Sequence, residues 1–415
     1  MTVPVTEIPQ VVQQFLPGFQ GVFSKPQLQH FAEYVTGLIV NPNKTVTGIN
    51  DAFVAHRDAS ANNHFLTAAP WSTEALAEAR KRWLVEVLAT EHPRHGYLII
   101  DDTIAHKTGE HIEGVGWHFD HTQSKTVLGH QVVSSHYVGL HRHLPVDFAL
   151  YKPHAALAPG ETVVDKIALA KILIEQAMAK GIPFDTVLLD SWYCCRELTE
   201  TITGVEKHWV AACKSNRLVE TGHGFVTLTD YAKTLPADAF RAVTVDGTDG
   251  TTSYWVFTKT LVFKTLGRVR LVISYDTADR TGEPFFLVTD RKDWDAKRIL
   301  IAYVHRSVIE GFYRDAKQHL GFEACELRSE QGVTRHWQCV FVAYTCLTLG
   351  AYDRRLVRWL QTRVTTLGSR CRLAMSEVLR SFVLSICQHR PSVENMNRLL
   401  GETLKPRGRL AIAFA

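Results

Sequence analysis

Two apolar segments of this chain end in aspartate: YLIIDD closes on Asp101 and Asp102, and FDTVLLD closes on Asp190. Short apolar runs of this kind read as buried strands, and acids at their ends stand at the lip of a sheet, where α/β proteins place ligands. Two such carboxylates can hold a hard cation through oxygen, although a strand-end aspartate also serves to cap a following helix. A third acid comes from DAKRILIAYVHRSVIEGFYRDAKQHL, which reads as one helix. Within it Tyr303, Arg306, Glu310 and Lys317 fall within about 60° of one another at about 100° per residue. A solvated face of ion pairs would group Arg, Glu and Lys but would not select Tyr, and Val304, Val308, Ile309 and Phe312 are left to pack elsewhere. Cutting or transferring a phosphodiester needs an activated oxygen nucleophile and stabilised charge on the attacking and leaving oxygens. Two metal ions held by shared carboxylates meet both needs. Beside them Arg306 and Lys317 would neutralise nonbridging phosphate oxygens and Tyr303 would donate a hydrogen bond to a phosphate, with ordinary surface ion pairing as the competing reading.

The set Tyr303, Arg306, Glu310, Lys317 resembles, in every residue and interval, the YREK signature of bacterial insertion-sequence DDE transposases. The resemblance runs over roughly residues 97 to 320: an apolar strand ending in Asp102-Thr103, a second ending in Asp190, a β-rich insertion, then the signature helix. It implies a ribonuclease-H-like core in which two aspartates and a glutamate bind two divalent ions, Mg²⁺ with Mn²⁺ able to substitute. On that pattern Asp102 matches the first acid, Asp190 the second and Glu310 the third. Asp101 competes for the first position; the Asp-Thr pair of the family favours Asp102, and alternation along a strand lets only one of two neighbours point at the metals. The resemblance further implies DNA-contacting roles for Lys214 and Arg217 in ACKSNR. In GEPFFLVTD it places Phe285 where a base-stacking Trp is usual, with core packing as the alternative for this Phe. It also implies cut-and-paste transposition by a homodimer that pairs transposon terminal repeats and joins them to target DNA.

The elements that must position these residues form a mixed α/β sheet with helical flanks. Residues 1–95 read as broken helices carrying Lys25, Lys44, His56, Arg57, Lys81 and Arg82, and are expected to recognise DNA ends. Residues 96–216 hold the first part of the core: three early strands (YLIIDD, HQVVSSHYVGL, PVDFALY), a helix over roughly 161–180, then FDTVLLD and HWVAAC alternating with helix. Residues 217–295 lose helical periodicity and read as a β-rich insertion. Helix returns over 296–350 with the second part of the core, and 351–415 form a basic helical region.

Composition sets the outer limits. At 415 residues, 46% hydrophobic and 21% charged, the chain is a folded protein too long for one ordinary core. Net charge is +4, yet from Gly350 onward twelve Lys/Arg face four Asp/Glu, a local +8 that suits a polyanionic partner. The opening residues lack a signal-peptide pattern, and the apolar stretch near Cys339 to Tyr352 is too short to span a bilayer, so a cytoplasmic, nucleoid-associated protein is expected. Eight scattered cysteines without a CxxC pair read as reduced thiols. Nine of the twenty histidines lie between His106 and His154, but without zinc-ligand spacing. There is no Walker A pattern, and Gly114-x-Gly116 lacks the third glycine of a dinucleotide loop. Two other functions compete: a domesticated DNA-binding relative without catalysis, and a haloacid-dehalogenase-type phosphatase, which would need Asp-x-Asp where this chain has adjacent acids.

Overall fold

A computed structural model describes residues 4–54, 59–120, 123–247, 250–361, 363–389 and 392. His56, Arg57 and, apart from residue 392, the basic tail beyond His389 lie outside the described residues. The chain opens with helices α1 (Gln10–Gln13), α2 (Lys25–Val40), α3 (Val46–Asn50), α4 (Ala59–Thr67) and α5 (Thr73–Leu88). Strands β1 (Tyr97–His106), β2 (Gly116–Asp120), β3 (Lys125–Val138) and β4 (His143–Tyr151) follow. Helix α6 (Lys166–Ala179), strand β5 (Thr186–Leu189), helix α7 (Arg196–Gly204) and strand β6 (His208–Ala212) then alternate. Next come β7 (Leu218–Thr221), β8 (Gly224–Thr227), α8 (Leu228–Thr234), β9 (Arg241–Gly247), β10 (Gly250–Phe263), β11 (Gly267–Tyr275) and β12 (Phe285–Thr289). The chain returns to helix in α9 (Ala296–Val304), α10 (Ser307–His319), α11 (Glu330–Leu349), α12 (Arg354–Trp359) and α13 (Leu367–His389). Two compact units result, one from Met1–Arg80, His111–Glu113 and Arg314–Ala415, the other from Lys81–Glu110 and Gly114–Tyr313.

The first unit is helical. Its α2 starts at a reciprocal capping box between Ser24 and Gln27 with Pro26 in the first turn, the sequence pattern that satisfies orphan amides at a helix start. Helix α11 is buried over nearly its whole length, which explains its lack of a polar face. It carries Arg335, only 2% exposed. That guanidinium donates to the carbonyls of Phe65, Leu66, Ala69 and Trp71 and lies 4.0 Å from the centre of the Trp71 ring. A buried charge needs this density of acceptors to be tolerated.

The second unit is built on one sheet of twelve strands. Its main path runs β2-β3-β1-β5-β6-β12-β11-β10-β7-β8, with β4 paired to β3 and β9 to β10. Strand β1 is antiparallel to β3 and parallel to β5, and Leu98, Ile99 and Ile100 are fully buried. Burial on both faces of a central strand is why YLII shows no alternation. Register sets Ile100 of β1 against Leu189 of β5, so Asp101 and Asp190 follow side by side where β5 ends; β1 itself runs on to His106, so Asp101 and Asp102 lie within the strand and not at its end as expected.

Three expectations are revised. The early strands number four, because GWHFD, alternating buried and exposed, forms β2. The β-rich insertion extends the same sheet: β12 pairs with β6, and a short helix, α8, interrupts its strands. The single helix expected over 296–320 is broken at His305 and Arg306. There the hydrogen bonds tighten to three-residue spacing (Arg306 to Tyr303, Val308 to His305, Ile309 to Arg306), and the Ser307 hydroxyl takes the Val304 carbonyl at 2.9 Å. A side chain that bonds nearby backbone competes with the helix ladder. No helix among the described residues is long and apolar enough to cross a membrane.

Candidate active site

Adjacent residues of a strand point to opposite faces, and Asp101 and Asp102 are separated in this way. Asp101 is 8% exposed and faces the joint between α9 and α10. Its carboxylate accepts from Arg306 Nη2 at 2.8 Å and from the Asp102 amide at 3.0 Å, while the Tyr313 hydroxyl donates to its backbone carbonyl. Burial pushes the Asp101 carboxyl up to about 7; Arg306 draws it down, and the charges of Asp190 and Asp102 add to the rise. Asp102 lies on the other face. There it accepts from Gln131 Nε2 at 2.5 Å, Tyr193 Oη at 2.8 Å and Lys166 Nζ at 3.2 Å.

Asp190 follows β5 and takes the amides of Trp192 and Tyr193 on one oxygen, both at 2.9 Å, which fixes its carboxylate over the turn into α7. Tyr193 thus joins the two acids: its amide holds Asp190 and its hydroxyl holds Asp102. Lys166, at the start of α6, lies 3.9 Å from the centre of the Trp192 ring and closes this group.

Arg306 stands at the break between α9 and α10, where it bridges two acids 209 residues apart, Asp101 at 2.8 Å and Glu310 at 2.5 Å. Burial by itself lowers the guanidinium pKa, but Asp101, Tyr303 and Glu310 together raise it, so it stays charged. Tyr303 is raised by burial, countered by Arg306 and raised further by Asp190, Asp101 and Glu310, which places it in the field of all three acids. Glu310 is more than half exposed and open to a ligand.

The remaining sequence candidates lie as follows. Lys317 pairs with Glu323 at 2.9 Å. Phe285, 47% exposed, begins β12, with its ring 5.6 Å from that of Tyr303. Lys214 is exposed, whereas Arg217 donates to the Cys194 carbonyl at 2.7 Å and to Thr265 at 3.3 Å. Of the histidines, His136 is buried beside His143 and Phe312, His118 lies against Tyr151, and His106 pairs with Asp120. Among the described residues no three His, Cys, Asp or Glu side chains stand close enough to share one metal ion. Asp101, Asp190 and Glu310 offer carboxylate oxygens, the donor type a hard divalent ion takes, and a guanidinium is drawn between two of them. Gln131, Lys166 and Tyr193 escaped the sequence reading. Only the position of Tyr193, three residues after Asp190, could have signalled a role.

Residues 14–235, more than half of the chain, match the family described as DDE superfamily endonuclease. The chain belongs to that family. A relative of this DDE protein, the probable transposase for insertion sequence element IS701 of Microchaete diplosiphon, is 31% identical over 160 residues, 38% of this chain. The match spans 41% of that relative's length. The fold is similar to that of the piggyBac transposase in a cryo-EM structure of its synaptic complex with hairpin DNA. The TM-score is 0.50 at 9% identity, over 93% of this chain and 78% of the other.

Proposed function

We propose that this DDE protein is a transposase of the YREK-signature group that cleaves DNA at transposon ends and transfers the strands into target DNA. The observation that carries the reading is Arg306, which reaches from the signature segment to an acid midway along β1 while holding Glu310 of the same signature. The order of strands, three antiparallel (β4, β3, β1) and then two parallel (β5, β6) reached through helices, supports a ribonuclease-H-like core.

The proposed acids are Asp190, Glu310 and one of the Asp101–Asp102 pair. What supports Asp101 is its place on the face of Arg306 and in the field of Asp190. What supports Asp102 is the Asp-Thr pair of the family, but three donors already occupy that carboxylate. We therefore take Asp101 as the first acid and Asp102 as its neighbour that orients Tyr193. Two Mg²⁺ ions on these acids would supply charge neutralisation for the attacking and leaving oxygens. In this reading Arg306 would contact a phosphate, Tyr303 would donate to a phosphate oxygen, and Lys214 and Lys317 would contact the DNA backbone. Phe285, half exposed beside Tyr303, is positioned to stack on a base. Residues 1–95 are assigned recognition of the terminal repeats, the basic C-terminal region phosphate binding, and a homodimer the pairing of two ends.

The test is a nicking assay on DNA bearing the repeats that flank the gene, with Mg²⁺, Mn²⁺ or EDTA. Metal-dependent nicks at the repeat boundary are expected. Binding of the repeats without nicking in any metal would leave a DNA-binding protein that has lost catalysis.

A further inference from the structure

Strand β2 exposes two large rings, Trp117 at 62% and Phe119 at 54%, while the residues between and after them, His118 and Asp120, are buried. Register assigns the exposed face. Asp101 pairs with Ser134, Thr103 with Val132 and Ala105 with His130; one step further the Lys107 amide donates to the Leu128 carbonyl. Leu128 in turn pairs with Trp117, and Thr126 with Phe119. By alternation Asp101, Lys107, Leu128, Trp117 and Phe119 all project from the same face of the sheet. The opposite face is accounted for independently: His106 reaches Asp120 at 3.1 Å, and His118 lies against Tyr151.

We propose that Trp117 and Phe119 form a stacking platform for unpaired bases of the DNA strand engaged at the acids. The proposal rests on the transposase reading for the identity of the nucleic acid. Three features favour bases over a second copy of this chain. The rings are two residues apart on one strand, about 7 Å, so each can take a separate base rather than fuse into one apolar patch. Lys107 continues the row Trp117–Leu128–Lys107, which puts a cation on the side of the rings nearer the acids, where the strand's phosphates would run. The platform also shares Asp101's face: Lys107, just past the end of β1, is six residue steps from Asp101, about 20 Å or about six nucleotides at the duplex rise, and the rings lie two strands across from it. Duplex DNA hides its bases from flat rings, so the surface fits a strand opened beside the cleavage point.

The test uses the full chain and two DNAs, a blunt duplex end and the same end with a single-stranded extension, in Ca²⁺ so that binding is read without cleavage. The double variant W117A/F119A is expected to lose about 10- to 100-fold in affinity for the extended DNA, and little for the blunt one. W117F/F119Y, which keeps both rings, is expected to retain the wild-type preference. A dT oligonucleotide should quench part of the wild-type tryptophan emission, and W117F should lose that part while still binding. Equal losses on both DNAs, or none on either, overturn the proposal. So does a fall in oligomeric state of W117A/F119A by sedimentation, which would assign the rings to contact between copies. Because oligonucleotide quenching needs no cleavage, wild-type protein that never nicks DNA would count against the transposase reading and leave this result readable.

Discussion

Asn in place of Asp101 makes the sharpest prediction, because the two roles open to this carboxyl have opposite signatures. Its pKa stands at about 7 against an ordinary 3.8, with burial as the first cause, opposed by Arg306 and reinforced by the charges of Asp190 and Asp102. At about 1.4 kcal/mol per unit, ionised Asp101 destabilises the metal-free fold by about 4 kcal/mol. The acid holds its proton more tightly folded than unfolded, so the penalty starts as pH rises past about 4 and is complete above about 7. Asn does not ionise. Asp101→Asn is therefore expected to be more stable than the parent in EDTA, by up to about 4 kcal/mol at pH 8 and by under about 2 kcal/mol at pH 5. Divalent metal should stabilise the parent but not the variant, and strand cleavage should vanish. Asp102→Asn is expected to do the reverse: stability falls by about 2–4 kcal/mol, since Lys166 and Tyr193 lose a charged, largely buried partner, while metal-dependent cleavage persists. Urea denaturation followed by circular dichroism at the two pH values, beside the nicking assay, reads both arms. A destabilised yet cleaving Asp101→Asn, together with a folded, inactive Asp102→Asn, would move the first acid to Asp102.

Further outcomes follow from the same geometry. Asp190→Asn and Glu310→Gln should keep end binding in a gel-shift assay and lose strand cleavage, since each removes a ligand charge at little steric cost. Tyr193→Phe removes the hydroxyl that ties Asp102 to the Asp190 turn, and should raise the Mn²⁺ concentration for half-maximal cleavage about tenfold without changing DNA affinity. Lys214→Ala should lower the slope of log affinity against log salt by about 1, as one phosphate contact is lost. Arg217→Ala should instead cost stability, because its guanidinium holds the Cys194 carbonyl; an unchanged melting temperature with a lower salt slope would return Arg217 to the DNA.

The parts of the fold that sequence made legible are those where one local rule dominates. YLII and TVLL show as strands because both of their faces are buried, and α6 and α9 begin where Asp165 and Asp295 cap them. Strand β2 was hidden. Its apolar residues face outward and its His and Asp inward, so the pattern of GWHFD opposes the usual rule. The break between α9 and α10 was hidden as well, because a helical period over 296–319 carries no mark of a tight turn until Ser307 is seen to bond the Val304 carbonyl. Tyr303, Arg306 and Glu310 share a helix face only on a straight helix, and α9 ends at Val304 before α10 begins at Ser307. The three still meet in one electrostatic field, gathered by the acids rather than by helix phase.

The first acid was the least legible because the decisive quantity is one residue of strand phase. DDT offers two carboxylates that composition and spacing treat alike, and the family's Asp-Thr pair favours Asp102. Only the partners of β1 distinguish them: Ser134 of β3 pairs with Asp101, and Tyr313 donates to the Asp101 carbonyl from the side of α10. Lys166 of α6 and Tyr193 reach Asp102 from the other side. The resulting division is chemically asymmetric. A carboxylate already satisfied by an ammonium, an amide and a phenol gains little from a metal, whereas one that burial pushes toward its protonated form, with a guanidinium and one backbone amide as donors, gains more from the arrival of a divalent charge. On the proposed reading, Asp101 is therefore the carboxylate of the pair that a divalent ion would stabilise more.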